Sequence, residues 1–338
     1  MAYDDDDHHI KYVESEEIQS TIIAFQNFGK LTDTENSTGI KRKWEDMEFD
    51  VLVRIFLSFN IVEIASTVSR VCRSWRLACC DPLLWKTTDF TVIQSNYIKI
   101  PAPPYVWVAD AFDKEFMKTI MIVMGLSSGN AKRLVFHFDL YLKDEQLIYV
   151  SERSPHLKEL VLPAWNRITK GGICKAIRNW GELESLVMPS IRDPAYILEE
   201  ISLNCKNFTQ LKVMGTLDIM FATKIIKYVP KLKRLSLRCC KLNKDALIMI
   251  MENLECLEIL NISHCLFVNE RPFPGGKQLL RKVDTDVFVI AARLHNFYTC
   301  QDKLCVVCSQ MMTDEGCLRW YRCEEGEWRK DEICSFSY

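Results

Sequence analysis

Apolar residues recur at helical spacing in the segment 44–85. A first stripe consists of Val51, Leu52, Ile55, Phe56 and Phe59, and a second one follows it with Ile64, Val68, Val71 and Trp75. Asn60 predicts a break between the stripes because Asn favours caps and turns. Asp81-Pro82 predicts the end of a third helix, since the residue before a proline is pushed away from the α region. The pattern therefore predicts three short helices, which bury too little surface to be stable without a partner.

A second pattern, with apolar residues at positions one, four and six of a repeated unit, governs residues 131–262. The matches are Ala131-Leu134-Phe136, Leu157-Leu160-Leu162, Leu183-Leu186-Met188, Phe208-Leu211-Val213, Leu232-Leu235-Leu237 and Leu257-Leu260-Ile262. Successive units start 24 to 26 residues apart, and this period with an L-x-x-L-x-L core is typical of leucine-rich repeats. Cys240 and Cys265 occupy position nine, where such repeats use Asn or Cys to bond the turn backbone. The sequence predicts a curved solenoid whose strands line the concave face.

Each unit also contains a stretch with helix-compatible spacing. These stretches are residues 144–152, 170–180, 194–205, 221–229 and 244–253. Residues 90–93 and a helix near 114–125 predict a degenerate first repeat, with a loop at 101–104 between them. Beyond the array, the spacing of Val287, Ile290 and Leu294 predicts a helix over residues 284–299 that caps the end of the solenoid.

The three-helix segment resembles an F-box. The resemblance is carried by residues 44–56, by the run Val-Cys-Arg-x-Trp-Arg at 71–76, and by the ending Asp-Pro-x-x-Trp at 81–85. In that family three helices dock on the Skp adaptor of cullin–RING ubiquitin ligases. The family usually opens with Leu-Pro, where this chain has Met47-Glu48. Methionine can still fill an apolar pocket, but the rigid proline of the first turn is lost.

The combined order is similar to that of plant F-box/leucine-rich-repeat proteins, which implies an α/β architecture. A three-helix F-box precedes a short leucine-rich-repeat solenoid of about six to seven units. The expected division is a disordered acidic arm (1–43), the F-box (44–86), the repeat array (87–270), a capping region (271–299) and a Cys-rich tail (300–338). The arm is expected to be disordered because residues 1–40 carry nine acidic and two basic side chains around one weak apolar cluster.

The same resemblance implies a substrate-recognition subunit of a Skp–cullin–F-box ubiquitin ligase, non-catalytic in itself. Its partners are then a Skp adaptor, cullin through that adaptor, and an unidentified protein client. The expected Skp-binding residues are Met47, Leu52, Ile55, Phe56, Val68, Val71 and Trp75. The alternative is that several of them face the core of the F-box itself. Trp85 is expected to pack under the repeat domain. The rival function is an adaptor-independent repeat scaffold or an inhibitor.

Positions three, five and seven of each unit alternate away from the buried leucines and predict the client surface. The candidate residues at these positions are Val135, Val161, Val187, Lys212, Arg234 and Arg238, with Trp165 nearby. An apolar first half and a cationic second half predict a client segment with an apolar anchor and an acidic or phosphorylated part. Pairing of the cations with neighbouring residues is the alternative. So short an arc disfavours an enclosed small-molecule cavity.

Composition narrows the remaining function classes. The 338 residues carry a formal net charge of -2, which disfavours a general nucleic-acid or membrane-surface binder. No P-loop, G-x-G-x-x-G or G-x-S-x-G is present, and the six His are scattered, so no enzyme site and no cofactor are predicted. The chain start lacks the basic and apolar regions of a signal peptide, which predicts cytoplasm, nucleus or both.

Fifteen cysteines are the unusual feature of the composition. Nine fall in the F-box and the repeats, where small buried hydrophobes are expected. The other six lie in the tail, and Cys305-x-x-Cys308 is half of a zinc site. No second tight pair follows, because five residues separate Cys317 from Cys323. The sequence therefore predicts free thiols and no metal.

Overall fold

The computed structural model describes residues 44–93, 98–99, 106–137, 140–163, 165–188, 195–213, 215–270, 277–280, 283–300, 302 and 304–313. The acidic arm, the loop predicted at 101–104, and Cys317 and Cys323 lie outside the described residues. Two units divide the chain between Asp46 and Met47. Of the first unit, the structure describes a single 3-10 turn, Trp44–Asp46.

Three α-helices open the second unit: α1 (Phe49–Phe56), α2 (Ile61–Ser66) and α3 (Arg73–Ala78). Single 3-10 turns, Val68–Arg70 and Pro82–Leu84, follow α2 and α3. Asn60 caps α2 as predicted, because its side chain accepts the backbone N–H groups of Val62 and Glu63. The Glu63 carboxylate in turn accepts the Asn60 N–H at 2.8 Å, which completes a capping box. The second apolar stripe is thus divided between α2, a 3-10 turn and α3.

Eight parallel strands form the main sheet. They are β1 (Thr87–Phe90), β2 (Arg133–Phe136), β3 (Glu159–Val161), β4 (Ser185–Met188), β5 (Gln210–Val213), β6 (Arg234–Ser236), β7 (Ile259–Asn261) and β8 (Asn296–Tyr298). The position-four residues pair across the sheet, from Leu134 with Leu160 to Leu260 with Phe297. The repeat register of the sequence is therefore the register of the sheet, with one further strand at each end of the six matched units.

A helix follows each of the first seven strands. These helices are α4 (Asp110–Ser127), α5 (Asp144–Glu152), α6 (Lys170–Asn179), α7 (Ala195–Asn204), α8 (Ile219–Tyr228), α9 (Lys244–Asn253) and α10 (Thr285–Ala291), and α11 (Val306–Thr313) comes after β8. Within the described part of the chain, no helix combines the length and the apolar character needed to cross a bilayer. The predicted bounds of α5 and α9 agree with the structure at both ends.

Short strands lie inside several units, between the main strand and the helix that follows it. Thr216–Leu217, Lys241–Asn243 and Leu266–Glu270 pair in parallel, and Lys277–Leu280 adds to the last of them in antiparallel fashion. Tyr141–Lys143 pairs with Trp165–Arg167, and Ile98–Lys99 pairs with Val106–Trp107. The parallel pairs join adjacent repeats at a second level, beside the main sheet, whereas the two antiparallel pairs lie within single units.

The predicted capping helix over 284–299 is wrong in its second half. The helix ends at Ala291, and residues 296–298 form β8, the last strand of the sheet. Leu294 and Phe297 are three residues apart, which suits a helix but equally suits positions one and four of a repeat. The strand forms because the open edge of β7 offers unpaired backbone groups that β8 satisfies.

One apolar core runs through both modules of the second unit. It includes Leu52 and Phe56 of α1 and continues to Leu294 at the far end of the repeats. Trp85, at the end of the three-helix segment, is fully buried within this core, and its Nε1–H donates to the Cys79 carbonyl at 2.7 Å. Helix α2 also packs against α4 and β1. The three short helices thus obtain from the repeats the partner surface that they need.

Candidate functional site

The seven residues predicted to bind Skp divide into three groups. Leu52, Phe56 and Val68 are buried in the core of the F-box, which is the alternative given for them above. Met47, Ile55 and Trp75 are half-buried and pack against that core, with the Trp75 ring edge-on to Phe56 at 5.2 Å between centroids. Val71 is exposed. A helical stripe of apolar residues indicates a face that is buried, and in this module most of that face packs against the module's own core.

A different set of apolar side chains covers the F-box surface. Between 42% and 58% of each of these side chains is exposed: Phe49, Val51, Leu57, Val71, Leu77 and Leu83. They are six of the eighteen large exposed apolar residues among the described positions, although segment 49–83 is short. Only Val71 was predicted. Phe49, Leu57, Leu77 and Leu83 lie off the two apolar stripes of the sequence, whereas Val51 and Val71 belong to the stripes and are nevertheless exposed.

The position-five column of the repeats lies on the face opposite the main core, as the strand alternation predicts. Val135, Val161 and Val187 pair in register on neighbouring strands and form a cluster of their own. They are nevertheless buried, so the prediction of an exposed apolar anchor is wrong. Neighbouring strands lie only about 4.8 Å apart, and in-register β-branched side chains cover one another.

The cationic half of the predicted client surface is also enclosed. Lys212 and Arg238 are buried and Arg234 is half-buried, and each of the three makes an interaction within the protein. This agrees with the alternative of paired cations. Trp165 starts a short strand, but its side chain lies outside the described part. A charge reversal at Lys212 or Arg238 would therefore test folding rather than recognition.

Several residues of the position-three column are partly accessible to solvent, although Ser185 of this column is buried. Arg133 pairs with the exposed Glu159 of the next repeat at 3.2 Å. Gln210, Arg234 and Ile259 are half-buried further along the same column. This row presents mixed charge, amide and aliphatic groups to a protein ligand, and His137, Asn261 and Ser263 are half-buried at positions five and seven of the same face.

The position-nine cysteines bond backbone carbonyls of the preceding repeat, at the place where its strand ends. The Cys240 thiol donates to the Val213 carbonyl at 3.3 Å, and the Cys265 thiol donates to that of Leu237 at 2.8 Å. Complete burial, followed by the nearby Cys240 and Cys239, raises the pKa of the Cys265 thiol well above its ordinary value. Such protonated, buried thiols act as structural donors and not as nucleophiles.

The C-terminal end of the repeats brings four metal-binding side chains together. The ligand atoms of His264, Cys300, Cys305 and Cys308 all lie within 4.8 Å of one another. Burial raises the pKa of the Cys305 thiol, but hydrogen bonds from the Cys308 and Val307 backbone and from the Cys300 and Cys308 side chains outweigh it and hold this pKa below its ordinary value. Sequence reasoning found only the Cys305–Cys308 pair and missed His264 and Cys300.

Comparison with known proteins gives a consistent result. A family model described as F-box-like matches residues 49–91. An F-box/LRR-repeat protein of Arabidopsis thaliana is 48% identical over 296 residues, covering 87% of this chain and 96% of that protein. A putative F-box protein of the same plant is 27% identical over 338 residues, covering 90% and 98%. Another relative, putative F-box/LRR-repeat protein 9, is 26% identical and covers 68% of this chain.

Proposed function

The chain belongs to the plant F-box/leucine-rich-repeat proteins, and from this premise we propose that it is the substrate-recognition subunit of a Skp–cullin–F-box ubiquitin ligase. In this role the F-box binds a Skp adaptor and, through it, cullin. The repeats bind a protein client, which is then ubiquitinated. F-box proteins of this kind act in general as non-catalytic substrate adaptors. The observation that carries the Skp half of the proposal is the exposed apolar surface of the F-box.

That surface is suited to burial against another protein. Exposed apolar area gains about 25 cal/mol for each Å² that a partner removes from water. The six exposed side chains lie on α1, on α3 and in the turns beside them, whereas Leu52, Phe56 and Val68 hold these elements rigidly from beneath. A rigid helical surface loses little conformational entropy on binding. Exposed apolar groups on a preformed scaffold are therefore the expected design of a docking module.

Glutamate substitutions at Val71 and Leu77 test this surface. Each places a charge where an apolar contact is proposed, and each side chain is already exposed, so the fold is expected to remain intact. We expect Val71→Glu and Leu77→Glu to weaken binding of a purified Skp adaptor at least tenfold, which corresponds to about 1.4 kcal/mol. Isothermal calorimetry or surface plasmon resonance measures the Kd.

The matched control is Leu203→Glu, the same substitution at a comparably exposed leucine on α7. It should bind the adaptor with the wild-type Kd. Circular dichroism of all three variants verifies that the repeats remain folded. Wild-type affinity in both F-box variants would refute the proposed surface. No adaptor binding by the wild-type chain would favour the adaptor-independent scaffold or inhibitor.

Client recognition is proposed for the position-three column, because most of its residues are partly exposed and carry charged or polar groups. Arg234 lies between Gln210 and Ile259 in that row and retains part of the cationic character predicted for the surface. Lys212 and Arg238 are buried and serve as supports. The preferred client segment is therefore acidic or phosphorylated, with contacts to the aliphatic Ile259 on the next strand.

The client test compares the wild type with Arg234→Glu in cells with blocked proteasomes. Proximity labelling should enrich client proteins with the wild-type chain, and the charge reversal should reduce that enrichment while cullin recovery stays constant. Lys231→Glu, at an exposed lysine in the turn before β6, is the matched control. Equal enrichment for all three chains would remove Arg234 from the client surface. Imaging of a fluorescent fusion in the same cells tests the proposed location in cytoplasm, nucleus or both.

A further inference from the structure

Two strands deliver the first half of a four-ligand cluster. β7 and β8 pair in parallel with Asn261 opposite Tyr298, so the backbone leaves both strands at the same edge of the sheet. His264 follows β7 by three residues and Cys300 follows β8 by two. Because the exits are adjacent, two ligand-bearing residues that are 36 positions apart in the sequence come to one place.

The turn of the repeat itself fixes the position of His264. This residue stands at position eight of its unit in the left-handed conformation, with φ of 58°. Cys239 occupies position eight of the preceding unit with φ of 61°. Two successive units share this turn, so the conformation belongs to the repeat and His264 requires no special strain. The last complete turn of the array simply carries a histidine in place of a cysteine.

A short turn supplies the second half of the cluster. The Asp302 carboxylate accepts the Leu304 N–H at 2.9 Å, and Cys305 then leads into α11, whose first turn contains Cys308. The Nδ1 atom of His264 lies 3.3 Å from Cys305 Sγ and 3.3 Å from Cys308 Sγ. A C-x-x-C pair at the start of a helix directs both sulfurs toward one point, which is the usual way such pairs bind metal.

We propose that His264, Cys300, Cys305 and Cys308 form a structural zinc site that fastens the segment after β8 to the last two repeats. A tetrahedral Zn²⁺ with bonds of about 2.3 Å to sulfur and about 2.0 Å to nitrogen separates its ligand atoms by roughly 3.5–3.8 Å. The observed cluster, with contacts of 3.3 Å and a largest separation within 4.8 Å, closes to that size with small movements.

The composition of the cluster favours zinc over other ions. Three thiolates and one imidazole are soft and borderline ligands that select Zn²⁺ over Mg²⁺ or Ca²⁺, which prefer oxygen. Four protein ligands complete a tetrahedron and leave no position for substrate, so the site is structural and not catalytic. Cys308 is buried and the other three residues are half-buried, which shields the metal without closing its entry path.

The position of the cluster in the fold indicates a structural role for the zinc. Among the described residues β8 is the terminal strand of the sheet, and an unprotected terminal strand is a site of fraying and of unwanted pairing. Repeat arrays need a capping structure at each end. A metal that ties β7, β8 and α11 together would act as that cap, and the free energy of metal binding would add to the stability of the last units.

The first experiment measures zinc in the full chain, purified with a reducing agent, by mass spectrometry of the metal. We expect one zinc per chain in the wild type and background zinc in Cys305→Ser and in Cys308→Ser. The matched control is Cys256→Ser, at an exposed cysteine of the repeats, which should retain the metal. Full zinc content in both cluster variants, or iron in place of zinc in the wild type, would overturn the assignment.

A second measurement does not depend on the metal surviving purification or on the variants folding. The wild-type chain is stripped with a chelator and titrated with Co²⁺, which reports tetrahedral thiolate coordination through its visible d–d and charge-transfer bands. The bands should appear at one Co²⁺ per chain, disappear on addition of Zn²⁺, and be accompanied by a higher Tm. A stripped chain that develops no bands and binds no Zn²⁺ at micromolar concentration contradicts the proposal. Neither experiment involves Skp, so its result is independent of the ligase function.

Discussion

Gly172 and the Asp144 carboxylate lie so close together that a methyl group at position 172 would overlap the carboxylate. Two hydrogen bonds hold the carboxylate there, from the Thr169 backbone N–H at 2.7 Å and the Thr169 hydroxyl at 2.6 Å. The same hydroxyl accepts the Gly172 N–H at 3.1 Å, which caps the start of α6. Two successive repeats are therefore joined at their helix starts by polar contacts that require a glycine.

We predict that Gly172→Ala lowers the free energy of unfolding by about 1–2 kcal/mol, because Asp144 must move and lose its hydrogen bonds to Thr169. Ordinary helix propensity predicts the opposite sign, since alanine is about 1 kcal/mol better than glycine inside a helix. Urea denaturation of the purified chain, followed by circular dichroism, measures the difference.

Two controls test whether the clash is the cause: a substitution at the neighbouring glycine and a double mutant. Gly171→Ala, where the nearest atom lies 3.6 Å from the added carbon, should be neutral or stabilising. In an Asp144→Ala background the clash is gone, so Gly172→Ala should there become stabilising by up to about 1 kcal/mol. The same loss of stability in both backgrounds would show that Asp144 is not the cause.

The Trp85–Cys79 hydrogen bond predicts a second loss of stability on substitution, at the end of the F-box where the repeats begin. Trp85→Phe removes the donor from the buried Cys79 carbonyl and should lower the free energy of unfolding by about 1–3 kcal/mol. Trp85→Ala adds a cavity and should cost about 3–5 kcal/mol. Trp107→Phe, at an exposed tryptophan, should leave stability within about 0.5 kcal/mol of the wild type. A Trp85→Phe chain as stable as the Trp107→Phe chain would contradict the role of this bond.

The elements that sequence predicts well are those where two signals agree. Helices α5 and α9 combine helical spacing with the repeat period, and both bounds of each were found. Residues 284–299 show the limit, since the three-residue step from Leu294 to Phe297 fits a helix and a repeat strand alike. Only the available edge of β7 decides between them.

The interaction surfaces were less accessible to prediction because alternation shows which way a side chain points and not what covers it. Val161 was placed on the correct face of the sheet, yet its neighbours on the adjacent strands bury it. The sequence did not reveal the His264–cysteine cluster for a different reason. His264 and Cys305 are 41 residues apart, and their proximity follows only from the parallel pairing of β7 and β8.

The thiol of Cys205 predicts a dependence of stability on pH. Burial, followed by the charge of Glu200, raises the pKa of this thiol to about 12 from its ordinary value of 9.0. Its Sγ donates to the Trp180 carbonyl at 3.3 Å, so the folded chain keeps the proton. Above pH 9 the unfolded chain releases that proton and the folded chain does not. The stability contributed by the raised pKa is therefore complete below pH 9 and is lost progressively as the pH rises toward 12.

We accordingly expect the wild type to lose roughly 1 kcal/mol more of its free energy of unfolding than Cys205→Ala between about pH 8 and about pH 10. Urea titrations at the two pH values measure both chains, and taking the difference cancels the titration of every other group. Cys256→Ala removes an exposed thiol and should keep the wild-type pH dependence. If Cys205→Ala also keeps the wild-type pH dependence, the Cys205 thiol ionises equally in the folded and unfolded chain. Burial after the end of α7 would then not hold its proton.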